Sequence, residues 1–158
     1  DTSVRESDQY ENQARAYLYW APVEWLEARA EYRYESFERS LEDPGGEFIK
    51  DLRTHFVPLG IKFFCPKGAI VGFTATYVDQ EGDFVDSDLT NTFFTTREND
   101  EFWVADLSLG YRLPRRYGLV SLEVRNLFNE SFHYQDMDDT APELYPGRTV
   151  LGKLRFSF

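Results

Sequence analysis

The chain has no long hydrophobic run and almost no cysteine. None of its 158 residues belong to an uninterrupted apolar stretch of about 18 or more residues, so we predict that no helix of the chain spans a membrane. The start carries no basic segment followed by an apolar one, which indicates a mature, processed or excised chain. The single cysteine, Cys65, excludes an internal disulfide. With a net charge of -11 and a negative mean hydropathy, the chain would be classed as soluble by a hydropathy scan.

The sequence also lacks a convincing catalytic or nucleic-acid-binding pattern. No serine is accompanied by His and Asp at a suggestive spacing, and no glycine-rich loop could hold a phosphate. The basic residues are not interleaved with aromatic ones, and the negative charge argues against nucleic acid. Glu27 and Glu31 could form an acid–base pair, but a run of alternating charges explains them better. We therefore predict a protein that is not an enzyme and has no nucleic-acid partner.

Aromatic residues, by contrast, are abundant, at 17% of the chain. Such a content favours strands over a helical bundle. The segment from Trp25 to Glu38 is rich in helix formers, yet its residues alternate strictly between apolar or aromatic and charged. A helix would mix these residues on one stripe, whereas a strand separates them onto two faces. Because the same alternation recurs along the chain, we take the period of two as the real one.

Seven segments share this alternation and are predicted as strands: 14–20, 26–35, 57–65, 69–77, 105–112, 120–125 and 149–158. Pro58 indicates a bulge or a weak start to the third. Short turns with Pro or Gly follow near 22–24, 66–68 and 114–118. Long acidic loops are predicted over 38–51, 79–101 and 129–147, with 1–12 as the end of another. A further hairpin within 83–97 would add two strands. The expected fold class is all-β, an antiparallel up-and-down β-barrel of which about seven strands are seen, without a separate domain in the chain.

Alternation alone fits two architectures. A soluble barrel places the apolar face inside, and a transmembrane barrel places it outside. Strands of about ten residues, short turns opposite long loops, and aromatic residues near strand ends favour the second. On this interpretation the charged face lines a wet lumen. The lumen-facing charges are predicted to be Arg15, Glu27, Arg29, Glu31, Arg33, Glu35, Arg112, Glu123, Arg125, Lys153 and Arg155.

The end of the chain resembles a known family. Leu154, Phe156 and Phe158 resemble the carboxy-terminal signature by which bacterial outer-membrane proteins are recognised for assembly. Over about 102–158 the chain resembles the last strands of TonB-dependent outer-membrane receptors. The motif that carries this likeness is Asn126, Leu127, Phe128 and Asn129, followed later by Gly147 and Arg148. The chain is also similar to the terminal barrels of some outer-membrane proteins with upstream tetratricopeptide repeats.

This resemblance implies a location in the outer membrane of a Gram-negative bacterium. The expected partners are the lipid bilayer, the barrel-assembly machinery, and an upstream part of the same barrel or a plug. The last strand would run toward the periplasm, and an odd strand number predicts that residues 1–158 are the carboxy-terminal segment of a larger barrel. The implied function is receptor-like uptake of a small-molecule nutrient or metal chelate. Two alternatives stay open: an export pore fused to repeats, for example for a polysaccharide, and a soluble β-barrel binding module.

No cofactor is predicted, and the acidic loops offer only a weak metal candidate. Oxygen ligands at alternate positions suit calcium. The candidates are Asp79, Glu81, Asp83, Asp86 and Asp88, with Asp136, Asp138 and Asp139 in a second cluster. Their spacing does not match a helix–loop–helix calcium site, and a solvated acidic loop explains them better. His55 and His133 share no metal spacing; His133 is a plausible ligand-contact residue, although a loop histidine without a special role is the better explanation.

Overall fold

The computed structural model describes residues 9–39, 48–87, 93–132, 144 and 147–156. They form one sheet of seven antiparallel strands in chain order, which is not closed. The strands are β1 (Gln9–Val23), β2 (Leu26–Arg39), β3 (Phe48–Phe64), β4 (Ala69–Ser87), β5 (Phe93–Arg112), β6 (Gly118–Arg125) and β7 (Thr149–Phe156). The predicted all-β, up-and-down topology is therefore confirmed, and β1 and β7 are the two edges of the sheet.

Three tight connections lie at one end of the sheet. The connection from β3 to β4 is closed by a hydrogen bond from the Cys65 N–H to the Ala69 carbonyl, at 2.7 Å. Between β5 and β6 the chain makes a three-residue 3₁₀ turn, Pro114–Arg116, and resumes at Gly118, whose φ is 151°. A Cβ at Gly118 would lie 1.9 Å from the Arg155 carbonyl oxygen, so only glycine fits there. No helix in the described part of the chain is long and apolar enough to cross a membrane.

The prediction of a loop over 79–101 is wrong for most of that range. β4 continues to Ser87 and β5 starts at Phe93, and Asp83 is paired with Arg97 in the ladder between them. The acidic composition of this segment predicts a loop, but Asp79, Glu81 and Asp83 alternate with Val78, Gln80 and Gly82 and so keep a strand period.

Other predicted boundaries shift in the same direction. Phe84, Val85, Phe93 and Phe94 extend β4 and β5 and do not form an extra hairpin. β3 also starts earlier than predicted, at Phe48, and β1 starts at Gln9. Pro58 lies inside β3: it faces Thr76 of β4, whereas the pairing with β2 is interrupted beside it. This fits the missing N–H of proline.

The register assigns every strand residue to one of two faces. We call the face that carries Arg29, Thr74 and Asp106 the inner face, because residues from five strands line one cavity there. The opposite face, which carries Ile61, Phe73 and Leu107, is the outer face. We call the part of the sheet between the tight connections and the level of Tyr77 and Trp103 the turn half. The remainder is the loop half.

The outer face of the turn half is apolar and exposed. Phe73 is 39% exposed, Leu122 42% and Leu154 68%. We call this surface the apolar belt; its large exposed members are Leu18, Trp20, Leu59, Ile61, Phe63, Val71, Phe73, Leu109, Val120, Leu122, Val150, Leu154 and Phe156. The belt crosses all seven strands, and no charged residue interrupts it on this face.

The hydrophobic core lies on the inner face of the loop half. Val78 is fully buried, and it clusters with Phe56, Phe102 and Val104. The connection from β6 to β7 covers this cluster: Leu144 joins it, and the ring of Phe132 stacks on Phe102 with a centroid distance of 4.4 Å and an interplanar angle of 2°. Among the described residues, the buried apolar cluster thus lies on the inner face of the loop half, with Val104 just across the level of Trp103.

Candidate functional site

The inner face gathers the charged residues that the sequence predicted for a lumen. By strand register, all of them lie on the inner face: Arg15, Glu27, Arg29, Glu31, Arg33, Glu35, Arg112, Glu123, Arg125, Lys153 and Arg155. Whether water fills the space in front of them stays a prediction. The shared face follows from strict alternation, because side chains two residues apart point to the same side.

Most of these charges are neutralised by neighbours. Nε of Arg15 lies 2.7 Å from the carboxylate of Glu31 on the adjacent strand. Within β2, Arg33 and Glu35 approach to 3.2 Å, and the guanidinium of Arg33 also lies 4.5 Å from the ring centre of Phe56.

The same holds on β6 and β7. Glu123 accepts from Nζ of Lys153 at 2.9 Å and lies 3.6 Å from Arg125. Lys62, which the sequence analysis did not select, pairs with Glu27 at 3.6 Å. The charged part of the inner face therefore carries ion pairs both between neighbouring strands and within a strand.

A cavity of about 250 Å³ opens on this network. Its polar lining includes Arg29, Lys62, Thr74, Asp106, Ser108, Glu123 and Arg125, from five strands. Gly60 and Gly72 also line it. The side chain of Arg29 lies over Gly60 and that of Ser108 over Gly72, so the two glycines let polar side chains of the neighbouring strands line the cavity.

The family-like motif forms a tightly bonded turn after β6. Asn126 is 1% exposed, and its φ of 50° lies in the left-handed region that asparagine tolerates. Its side-chain amide donates to the Glu130 carbonyl and accepts from the Glu130 N–H, each at 2.8 Å. Its own N–H donates to Asp106 at 2.9 Å, and the next N–H, of Leu127, donates to the Ala105 carbonyl. Asn126 thus anchors the connection to β5.

The second half of the motif ties this turn to the start of β7. Oδ1 of Asn129, whose φ is 57°, accepts from the Arg148 N–H at 3.0 Å. Phe128 is exposed at 72% and Leu127 is half-buried. Gly147 has open space where a Cβ would be. The residues that carry the resemblance are therefore close in space, and the two asparagines have a structural role in joining β6 to β7.

A polar cluster that the sequence pattern did not predict lies on the outer face of the loop half. The Tyr32 hydroxyl lies 2.9 Å from Nδ1 of His55, and the Tyr34 ring centre is 5.0 Å from that of His55. Asp79 faces His55 on the next strand. Nearby, Arg97 donates to Glu81, which raises the pKa of the Arg97 guanidinium. The alternation of Asp79 and Glu81 could have revealed this face if their segment had been read as a strand.

The weak calcium candidates do not converge. Asp79, Glu81 and Asp83 share the outer face but follow one another along β4, and Asp86 lies farther along the same strand. Asp88, Asp136, Asp138, Asp139 and His133 lie outside the described residues. No group of three metal-ligating side chains is present in the described ranges.

The proposed assembly signature is partly visible. Leu154 and Phe156 lie on the outer face of β7 and are 68% and 59% exposed. Phe158 lies outside the described residues.

Comparison with known proteins gives no match: no family model, no curated protein and no solved structure is significantly similar to this chain.

Proposed function

We propose that this chain is part of a bacterial outer-membrane β-barrel transport protein, resembling a TonB-dependent receptor. The observation that carries the proposal is the apolar belt. Soluble monomers rarely expose a continuous apolar patch larger than a few hundred Å². Here large apolar side chains of the belt are exposed on six strands, and Ala28 and Ala30 continue the apolar surface on β2, while the ion pairs lie on the other face. This is the polarity expected where the outside meets lipid and the inside meets water.

The dimensions and borders of the belt agree with a bilayer. From Trp103 to Tyr111, strand β5 is about 27 Å long at about 3.4 Å per residue; at a tilt of about 40° it would rise about 21 Å, comparable to the apolar band of about 25 Å in outer-membrane barrels. Trp103 is 54% exposed and packs beside Tyr77 with ring centres 5.2 Å apart. Tyr111 and Tyr117, 45% and 56% exposed, lie at the opposite border. Aromatic side chains at both borders are typical of membrane interfaces.

The two open edges support membership in a larger barrel. β1 and β7 both run toward the tight connections, so closing one on the other would require a parallel pair in an otherwise antiparallel sheet. In hydrocarbon an open edge leaves backbone N–H and C=O groups without partners. We therefore propose that further strands pair with both edges.

A transport role, as opposed to a purely structural one, is supported by the inner face. It combines a polar cavity in the turn half with an apolar cluster in the loop half that Phe132 and Leu144 cover. A polar inner wall in the turn half, next to a loop half that the β6–β7 connection covers, suits gated uptake of a small solute such as a nutrient or metal chelate. Upstream sequence would separate the two transport modes: a plug domain supports uptake, and helical repeats support export.

Dependence on detergent tests the proposal. We expect the full-length protein to fractionate with membranes and to aggregate when detergent is removed, because the apolar belt then meets water. A preparation that stays monodisperse and folded in plain buffer would instead favour a soluble β-barrel module and would reject the proposal.

A further inference from the structure

We propose that Arg29 is an anion-binding residue of the inner face, which contacts carboxylate or phosphate groups of a small solute. This inference rests on the transport function proposed above, and it adds the chemical class of the solute. It begins from a difference between Arg29 and the arginines that line the same part of the inner face, which are Arg15, Arg33 and Arg125.

Within the described ranges Arg29 has no ionic partner, whereas its charged neighbours do. Arg15 and Arg33 face each other in the β1–β2 ladder and are each paired with a carboxylate, whereas Arg29 lies farther along β2, opposite Tyr19. Among the described residues, the only side-chain partner of Arg29 is the Thr74 hydroxyl, which accepts from Nη2 at 3.2 Å. Arg29 is also the one exposed member of the charged run on β2, since Glu27, Glu31, Arg33 and Glu35 are half-buried.

Gly60 holds the Arg29 side chain across strand β3. Arg29, Gly60 and Thr74 face one another on three adjacent strands, so the guanidinium reaches β4 by passing over Gly60. A Cβ at Gly60 would lie 2.6 Å from Nε and 2.8 Å from Cγ of Arg29. The glycine therefore makes a shallow channel for the arginine stem, which places the guanidinium in the cavity and limits the conformations it can adopt.

The remaining charges around the cavity leave this guanidinium available. Lys62 is paired with Glu27, and Arg125 with Glu123. The carboxylate of Asp106 accepts from the Asn126 N–H and has no ion pair with Arg29.

The chemistry of the group then selects the solute. A guanidinium presents parallel N–H donors that match a carboxylate or phosphate in a bidentate fashion. The Thr74 hydroxyl, already beside the guanidinium, offers a further polar group to the same anion.

Binding of citrate, a small tricarboxylate, tests the inference. We would titrate the full-length protein in detergent micelles at low ionic strength by calorimetry, comparing R29Q with R15Q. Both changes remove one positive charge from the inner face, but Arg15 is already paired with Glu31. We expect R29Q to weaken citrate binding about tenfold, or about 1.4 kcal/mol, and R15Q to leave it within about twofold.

A pair of glycine variants tests the positioning without a change of charge. Gly60→Ala should displace the Arg29 stem and weaken citrate binding about as much as R29Q, while R29K should recover part of the binding. Gly152→Ala is the control, because nothing lies within 4 Å of its Cβ position. These variants also keep the test decisive if R29Q fails to fold.

Two results would overturn the inference. The first is no citrate binding by the unaltered protein at millimolar concentration. The second is an equal loss of binding for R29Q and R15Q, which would indicate an effect of the total charge of the inner face and not of Arg29 itself. Detergent dependence, measured on the same preparations, separates this failure from that of the proposed function. If the protein depends on detergent but R29Q does not change its citrate binding, the anion site alone is refuted.

Discussion

On strands β3, β4 and β5 the two halves of the sheet have opposite polarity, although the same strands run through both. On β5, the outer face of the turn half carries Leu107 and Leu109, and beyond Trp103 the same face carries Arg97, Asn99 and Glu101. The inner face changes in reverse, from Asp106 and Ser108 to Val104 and Phe102. On β3, β4 and β5 the loop half has polar groups on its outer face and buried apolar residues on its inner face, as in an ordinary sheet in water. The turn half is inverted.

The level of Tyr77 and Trp103 divides the two arrangements. A strand that keeps its alternation but exchanges the polar and apolar faces has crossed from one environment to another along its own axis. On the function proposed above, the outer face of the turn half meets hydrocarbon, and the outer face of the loop half meets water. The following predictions test this comparison, from the largest expected effect to the smallest.

The largest effect is expected in the dry core of the loop half. Phe102→Ala should lower the free energy of unfolding by about 3–5 kcal/mol, since Phe102 is 7% exposed and stacked on Phe132. Phe73→Ala, on the apolar belt, should cost far less in lipid, because lipid chains can fill the space left by the ring. Guanidinium titrations of the protein in lipid vesicles measure both. Equal losses would contradict the contrast between the halves.

A charge placed on the apolar belt should be the next most costly change. Leu18 and Tyr17 are adjacent on β1, 66% and 68% exposed, and point to opposite faces. Arginine on a lipid-facing position costs about 2–4 kcal/mol at the bilayer midplane and less toward its borders, so we expect about 2 kcal/mol for Leu18→Arg. Tyr17→Arg faces Glu31 and should be tolerated. Water on both faces predicts equal tolerance, which is the outcome that would break the account.

Loss of the Asn126 anchor should be felt where the two halves meet. Asn126→Ala removes both amide bonds to Glu130 and leaves alanine at a φ of 50°. We expect a loss of about 1–2 kcal/mol, together with faster amide hydrogen exchange at Leu127 and Glu130. Asn126→Gly relieves the backbone strain alone, so it should recover only part of the loss. Full recovery by glycine would show that the side-chain hydrogen bonds contribute little.

The smallest effect belongs to the outer face of the loop half. Glu81→Gln removes the ion pair with Arg97, which is 66% exposed in its side chain. Exposed ion pairs are screened by salt and contribute little to stability. We expect a change in the denaturation midpoint that disappears when the ionic strength is raised. A large, salt-independent loss would indicate that this surface is covered, in contrast to the exposed surface described here.

The sequence was sufficient for the turn half because a strict period of two fixes which residues share a face. Arg29 and Glu31 fell on one face, and Ala28 and Ala30 on the other, from alternation alone. It misled in the loop half, where Asp79, Glu81 and Asp83 made a strand look like an acidic loop. Composition and periodicity disagreed there, and periodicity was right.

The candidate site itself was only partly predictable. The position of the Arg29 guanidinium depends on Gly60. The two residues are far apart in the sequence, and only the register between β2 and β3 brings them together. The bond from Arg148 to Asn129 depends in the same way on how the connection from β6 returns to β7. Such contacts require the pairing of strands, and local patterns do not specify them.

Spin labels placed one at a time along 97–111 of β5, with Cys65 replaced by serine, test the central claim most directly. Collisions with oxygen report lipid, and collisions with a water-soluble nickel chelate report water. In the membrane-embedded protein, we predict oxygen maxima at Ala105, Leu107 and Leu109, nickel maxima at Asp106 and Ser108, and nickel access at Arg97, Asn99 and Glu101. High nickel access at Leu107 and Leu109 would contradict the account.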